Sequence, residues 1–371
     1  MKSKGSINIM SRLLNLAVQI QQIPAPTFEE RQRAEFVREL FVKEKLLDVS
    51  MDPANNVFGR LAGTGTSRPL IVSAHLDTVF SRTTNLQVTY KEDQIYGPGI
   101  GDNSLGTAAL LGLIWLLRER RIQCAGDIWF VANVCEEGLG DLRGMKAVAD
   151  RFGADVRAYL VLEGTALGQV YHRAIGVRRF RVTARTAGGH SWSDYGQPSA
   201  VHELARLITQ VAALPVPTNP RTTLNVGLIS GGTGVNVLAS EAKCELDLRS
   251  ENMETLNALV EKVEERIRSA NREGVAIEME VIGQRPAGEI PADHPLVKLA
   301  DKCLSEQGLK ATFTSGSTDA NVPLSRGYPA IVLGITTGGG AHTVHEYIDI
   351  QPAEKGMEQM VRFVEGVFSI Q

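Results

Sequence analysis

Three apolar runs in this chain each stop on acids or imidazoles. Pro69 to Asp77 ends on His75 and Asp77, Asp127 to Val134 leads into Glu136 and Glu137, and Arg157 to Leu162 ends on Glu163. Runs of this length, rich in β-branched and aromatic residues, read as strands buried on both faces of a parallel sheet. Helical patterns at Thr107 to Arg118 and Leu142 to Phe152 separate them, and strand-helix alternation with short linkers describes an α/β fold with a mainly parallel sheet. Ligands of such sheets gather beyond the carboxyl ends of the strands, where these acids fall. Adjacent carboxylates repel, so Glu136 and Glu137 stay ionised together only where water, a cation or a proton compensates them.

Before these runs, helical spacing covers Leu13 to Ile23 and stops at Pro24. Thr27 to Glu30 forms a capping box, which predicts Thr27 as the cap of a helix reaching about Lys45. Short strands are expected at Leu47 to Met51 and Asn56 to Leu61, and a more exposed β region from Val88 to Tyr96. The glycine-rich turn Gly97 to Gly106 places Asp102 at the mouth of the Thr107 helix. From about Gly176 the pattern changes to strand 177–186, helix 199–213, strands 222–229 and 241–248, helix 253–271 and strand 275–282. That β-α-β-β-α-β order predicts a two-layer α+β domain inserted in the first, with a sheet edge or face free for another subunit. With 371 residues the chain exceeds what one core usually serves. The expected division is 1–175 and 285–371 for the larger domain and 176–284 for the insert. The larger domain closes with a helix 295–307, a strand 330–335 and a helix 353–369.

Composition excludes several classes. The net charge of -3 gives no reason to expect a nucleic acid or an anionic membrane as partner. Cys124, Cys135, Cys244 and Cys303 lack CxxC spacing, which argues against a thiolate zinc site or a disulfide framework and suits a reducing compartment. The start, Met1-Lys-Ser-Lys4, leads into no cleavable signal peptide. No run approaches ~18 consecutive apolar residues, so a cytoplasmic location is expected. No Gly-x-Ser-x-Gly, His-Glu-x-x-His or dinucleotide fingerprint occurs.

Carboxylates with one or two imidazoles and no thiolates suit Zn²⁺, Mn²⁺ or Co²⁺, alone or as a bridged pair. Each residue also has an ordinary reading: Asp102 as a helix cap, His345 as a surface residue. The joint pattern of such groups at three strand ends favours the metal. The segments 73–79, 99–106, 135–138, 163–164 and 341–346 together resemble, in order and spacing, the motifs of the M20 family of metallopeptidases. That family includes carboxypeptidase G2, peptidase T, acetylornithine deacetylase and succinyl-diaminopimelate desuccinylase, and the resemblance spans nearly the whole chain.

The resemblance implies two divalent ions, Zn²⁺ first and Mn²⁺ or Co²⁺ as alternatives. It casts Asp102 as the bridge, His75 and Glu163 as ligands of one ion, and Glu137 and His342 as ligands of the other. Glu136 is implied as general base and Asp77 as the group orienting His75, with a cis peptide at Asp102-Asn103. His345 stands where relatives have Asp or Asn, which leaves it as a second imidazole near the site. The insert resembles the family's lid and dimerisation domain. It implies His190 as a donor to the scissile carbonyl, reaching a neighbouring active site in a homodimer, and Asn236 and Arg249 as substrate-binding residues. The loop 316–321 resembles one lining the pocket. Small peptides and N-acyl amino acids both remain as substrates, with a peptidase T-like aminopeptidase or dipeptidase as the leading expectation and a deacylase as the alternative.

Overall fold

The computed structural model describes residues 4–370, so Met1, Lys2 and Ser3 of the basic start lie outside the described residues. The chain forms two compact units, Met1–Ala174 with Glu289–Gln371, and Ile175–Gly288.

The first unit is built on one large sheet. Its strands run in the order Leu47–Met51, Val57–Leu61, Ile128–Asn133, Leu70–His75, Ala158–Glu163, Ala330–Gly334 and Gln169–Ala174, with Thr312–Gly316 pairing to the last. The central neighbours are parallel and the outer pairs antiparallel, except that Thr312–Gly316 runs parallel to Gln169–Ala174. Leu70–His75 and Ala330–Gly334 are buried at every position, as the uninterrupted apolar runs require of strands covered on both faces. His75 pairs with Asn133 and Ser73 with Val161, so the carboxyl ends of the three central strands finish level.

Helix Gly106–Glu119 lies against this sheet with Leu110, Leu111, Leu113 and Ile114 fully enclosed. Together with the turn before it, it is long and apolar enough to cross a membrane by hydropathy, but 94% of it is buried inside the protein. The core accounts for its composition. A small antiparallel sheet, Gly338–Gly339, Tyr347–Asp349, Gln94–Tyr96 and Thr89–Lys91, joins the glycine-rich turn to the loop carrying His342. The Tyr96 and Tyr347 rings, 5.1 Å apart, pack across that joint.

The second unit is a four-stranded antiparallel sheet, Thr222–Gly231, Glu241–Ser250, Gly176–Arg185 and Ala276–Arg285, covered on one face by helices Ala200–Ala212 and Met253–Ala270. Phe180, Val182 and Ala184 point into that core. Alternating with them, Arg179, Arg181 and Arg185 pair with Asp247, Glu245, Glu280, Glu241 and Glu278 across the open face. Period-two alternation in the sequence becomes one apolar and one charged face.

One expectation changes, and two strands are added. Thr27 does not cap a helix: Arg31–Lys43 begins at Glu30, and the Thr27 hydroxyl donates to Asp77 Oδ2 at 3.0 Å. A parallel bridge between Pro26 and Thr78 draws that loop to the sheet edge, beyond reach of the helix start. Strands Gln169–Ala174 and Thr312–Gly316 went unread, because they are short, partly polar and defined by pairing to each other far along the chain.

Candidate active site

Glu163 is the last residue of its strand, and His75 of the neighbouring one. Asp102 reaches them from the glycine-rich turn, where the Asp102-Asn103 peptide is cis. The approach is close: a Cβ on Gly164 would fall 1.9 Å from the Gly101 carbonyl oxygen, so only glycine lets the Glu163 strand end lie on that turn. His342, in the left-handed region at φ 65°, turns back from the small sheet.

The result is two overlapping groups. His75, Asp102 and Glu163 form one, and Asp102, Glu137 and His342 the other, each with its ligand atoms within 4.8 Å of one another. Asp102 is common to both. Its Oδ1 lies 3.1 Å from His75 Nε2 and its Oδ2 lies 3.0 Å from His342 Nε2, which is also 3.2 Å from Glu137 Oε1. Glu136, 5% exposed, groups with His75 and Glu137.

Asp77 acts mainly on the acid pair. Its carboxylate accepts from the backbone N–H of Glu136 at 2.9 Å and of Glu137 at 2.8 Å, fixing the turn that aims both side chains. His75 Nδ1 lies 3.1 Å from the Asp77 carbonyl oxygen and 3.6 Å from its carboxylate, so the backbone carbonyl is the nearer acceptor. With Nδ1–H so committed, the lone pair of a neutral His75 faces Asp102 and Glu163. Acceptor against acceptor is stable only with a proton or a cation between them.

The electrostatics say the same. Burial pulls the His75 pKa down, but hydrogen bonds to Asp102 and Asp77 and the charge of Glu163 outweigh it, and the net shift is well upward. Hydrogen bonds to Asp102 and Glu137 push His342 up to about 10. Burial raises Glu163 well above the usual carboxylate range, with His75 opposing and Asp102 and Glu136 adding to it. Burial works against the charge of Asp102 too, yet the two imidazoles hold it well below its ordinary value. Such a set, protonated where it need not be and rich in hard oxygen and imidazole donors, fits a pair of divalent cations.

A sequence description of peptidase family M20/M25/M40 matches residues 71–366. The chain belongs to peptidase family M20. It is a hydrolase of that family, whose compared members are metallopeptidases and amidohydrolases. Succinyl-diaminopimelate desuccinylase of Corynebacterium glutamicum is 24% identical over 357 residues, covering 94% of this chain and 95% of that protein. A solved tripeptidase of Staphylococcus aureus superposes with a TM-score of 0.83 at 23% identity, over 97% of this chain and 99% of that one. The YXEP protein of Bacillus subtilis, described as a dinuclear metal binding peptidase, gives a TM-score of 0.71 at 17% identity, over 98% and 99%.

The remaining expected residues of this M20 hydrolase lie in the second unit. Gly189–His190 pairs with Val237–Leu238, and the Ser191 N–H donates to the Asn236 carbonyl at 3.0 Å, so His190 and Asn236 are neighbours. His190 Nδ1 accepts from the Trp192 N–H at 3.2 Å, which leaves the proton of the neutral ring on Nε2. Arg249 grips Asp247 with both ends of its fork, at 2.6 and 3.2 Å.

His345, exposed, joins none of the metal-ligand groups among the described residues. Its neighbour Glu346 does more than the sequence reading gave it. Wholly buried, it accepts from Gly99 N–H at 2.8 Å and from Gly101 and Asp102 N–H at 2.7 Å, so it moulds the turn that presents Asp102. Burial and the charge of Asp102 lift its pKa to about 7 against those three donors. Asp319, in the 316–321 loop, is wholly buried and accepts from Asn133 Nδ2 at 2.7 Å at the end of a central strand. Nothing local marks either acid, since both partners lie far along the chain.

Proposed function

We propose that this protein hydrolyses amide bonds of small peptides, as a peptidase T-like aminopeptidase or dipeptidase, with Glu136 as general base. The single observation that carries the reading is Glu136 itself: a buried carboxylate beside the ligand groups, aimed by Asp77 through its own amide. His75, Asp102 and Glu163 would hold one ion and Asp102, Glu137 and His342 the other, Zn²⁺ first and Mn²⁺ or Co²⁺ as alternatives. Paired divalent ions in such sites lower the pKa of water to about 7 and polarise a carbonyl. Glu136 then accepts the proton of the attacking water and delivers it to the leaving amine nitrogen. Its neighbour Glu137 is a ligand, so the acid pair divides into a proton carrier and a holder.

His190, with Nε2–H free to donate, supplies a hydrogen bond to the carbonyl oxygen as charge builds there, an effect of about 10²–10³ in rate. The reading includes a homodimer through the second unit. Thr222–Gly231 is an edge strand carrying Leu228 at 64% and Ile229 at 63% exposure, which suits pairing with a second copy. In such a dimer His190 serves the other subunit's site. Mixing inactive Glu136→Gln and His190→Ala variants then restores activity when subunits exchange; no recovery despite demonstrated exchange contradicts it. Asn236 and Arg249 are assigned to substrate contacts, Arg249 through exchange of Asp247 for a substrate carboxylate.

The deacylase alternative is favoured by the 24% identity with the desuccinylase across almost the full chain. Chelated protein resupplied with Zn²⁺, Mn²⁺ or Co²⁺ and offered di- and tripeptides beside N-acetyl and N-succinyl amino acids decides between them. Higher kcat/KM on the peptides supports the peptidase; higher kcat/KM on the N-acyl amino acids overturns it.

A further inference from the structure

Beside Glu137 lies a cavity of about 330 Å³ that the mechanism above does not use. Pro26, Val79 and Phe80 give it an apolar wall, shared with Thr27, Thr78 and Ser81, and Glu137 borders it. Its size sits at the lower end of the ~300–1,000 Å³ of small-ligand pockets, enough for one side chain and not for a whole ligand. The walls are pinned. Pro26 bridges Thr78, the Thr78 N–H donates to the Ala25 carbonyl at 2.9 Å, and Thr27 is tied to Asp77. The one cation in the adjoining loop, Arg82, is paired with Glu29 at 2.7 Å. Among the described residues no Lys, Arg or His lines the cavity, while Val79 leaves 42% of its surface exposed.

From this we infer that the cavity is a specificity pocket for a neutral apolar side chain flanking the scissile amide. It rests on the amide-hydrolase reading above, because Glu137 belongs both to the cavity and to the ligand group of Asp102 and His342. Whatever fills the cavity therefore lies next to the reacting bond. The Pro26, Val79 and Phe80 surfaces favour Leu- or Phe-sized groups. Among the described residues no cation lines the cavity to answer a negative charge, which disfavours acidic side chains and succinyl groups in that position.

The test uses the full chain loaded with Zn²⁺ and the dipeptides X-Gly and Gly-X, with X as Ala, Leu, Phe or Glu. In one of the two orders kcat/KM for Leu and Phe exceeds that for Ala and Glu by about 10- to 100-fold. Val79→Arg, a change at an exposed position of the wall, abolishes the preference for Leu and Phe over Ala and raises the Glu substrate relative to Ala. A uniform loss across the panel, or a wild-type preference for Glu, overturns the pocket and leaves the hydrolase reading standing. Calorimetry on Zn²⁺-loaded Glu136→Gln separates the two claims. If no dipeptide is cleaved yet Leu binds at least tenfold tighter than Glu, and Val79→Arg erases this, the pocket stands and the peptidase reading falls. If there is neither cleavage nor that binding preference, both fall.

Discussion

The two units use the same charged residue types in opposite ways. On the open sheet face of the second unit, Arg179, Arg181 and Arg185 each meet a carboxylate on a neighbouring strand, in reach of water. At the strand ends of the first unit, Asp102, Glu136, Glu137 and Glu163 converge with two imidazoles, while the buried Arg33 guanidinium answers Asp77 and Glu30 behind them. Exposed pairs of the first kind contribute little to stability. Buried acids of the second kind are costly unless a cation compensates them. Unbalanced charge, not charge itself, separates a working site from a solvated face.

The contrast breaks most visibly at Glu136. Glu136→Gln is expected to lower kcat by about 10²–10⁴-fold with metal content unchanged, whereas Glu137→Gln loses metal. Equal metal content and equal activity in both variants would contradict the division of labour. Next in size comes Glu346→Ala, which strands three N–H donors of the Asp102 turn, two of them buried, and is expected to cost about 3–5 kcal/mol in denaturant unfolding of the metal-free protein. A change below 1 kcal/mol would mean that the turn holds its shape without Glu346.

Protons probe the same imbalance. His342, at about 10 without a cation, stabilises the metal-free fold fully below its ordinary pKa near 6.5, and that contribution is lost as pH rises through about 10. A cation needs the lone pair that the proton occupies. Metal affinity is therefore expected to rise about tenfold per pH unit from pH 6 to 8 for each proton displaced, read by competition against a chelator. A flat profile would place the ion elsewhere. The smallest effect belongs to the second unit: Arg179→Met is expected to change stability by about 1 kcal/mol or less, and less still in high salt.

Much of this contrast was legible in the sequence, and for a physical reason. Strand ends announce themselves by where an apolar run stops, so His75, Glu163 and the Glu136-Glu137 pair carried their address with them, and the β-α alternation gave the mainly parallel sheet. Alternation in 177–186 likewise foretold one buried and one polar face. What stayed hidden depends on pairing between distant segments. Glu346 moulds a turn some 245 residues earlier, Thr27 serves Asp77 rather than its own helix, and Gln169–Ala174 is a strand because Thr312–Gly316 lies beside it. The choice of His342 over His345 was read from the motif, and the small sheet brings the His342 Nε2 to 3.0 Å from Asp102 Oδ2.

The most direct test of the central claim is metal stoichiometry by elemental analysis after chelation and Zn²⁺ reloading, on wild type and on Glu163→Gln, Glu137→Gln and Asp102→Asn. Two ions per chain in the wild type, one in each glutamate variant and fewer than one in Asp102→Asn is the predicted result. Two ions retained in Asp102→Asn, or none in an active wild type, would contradict the account.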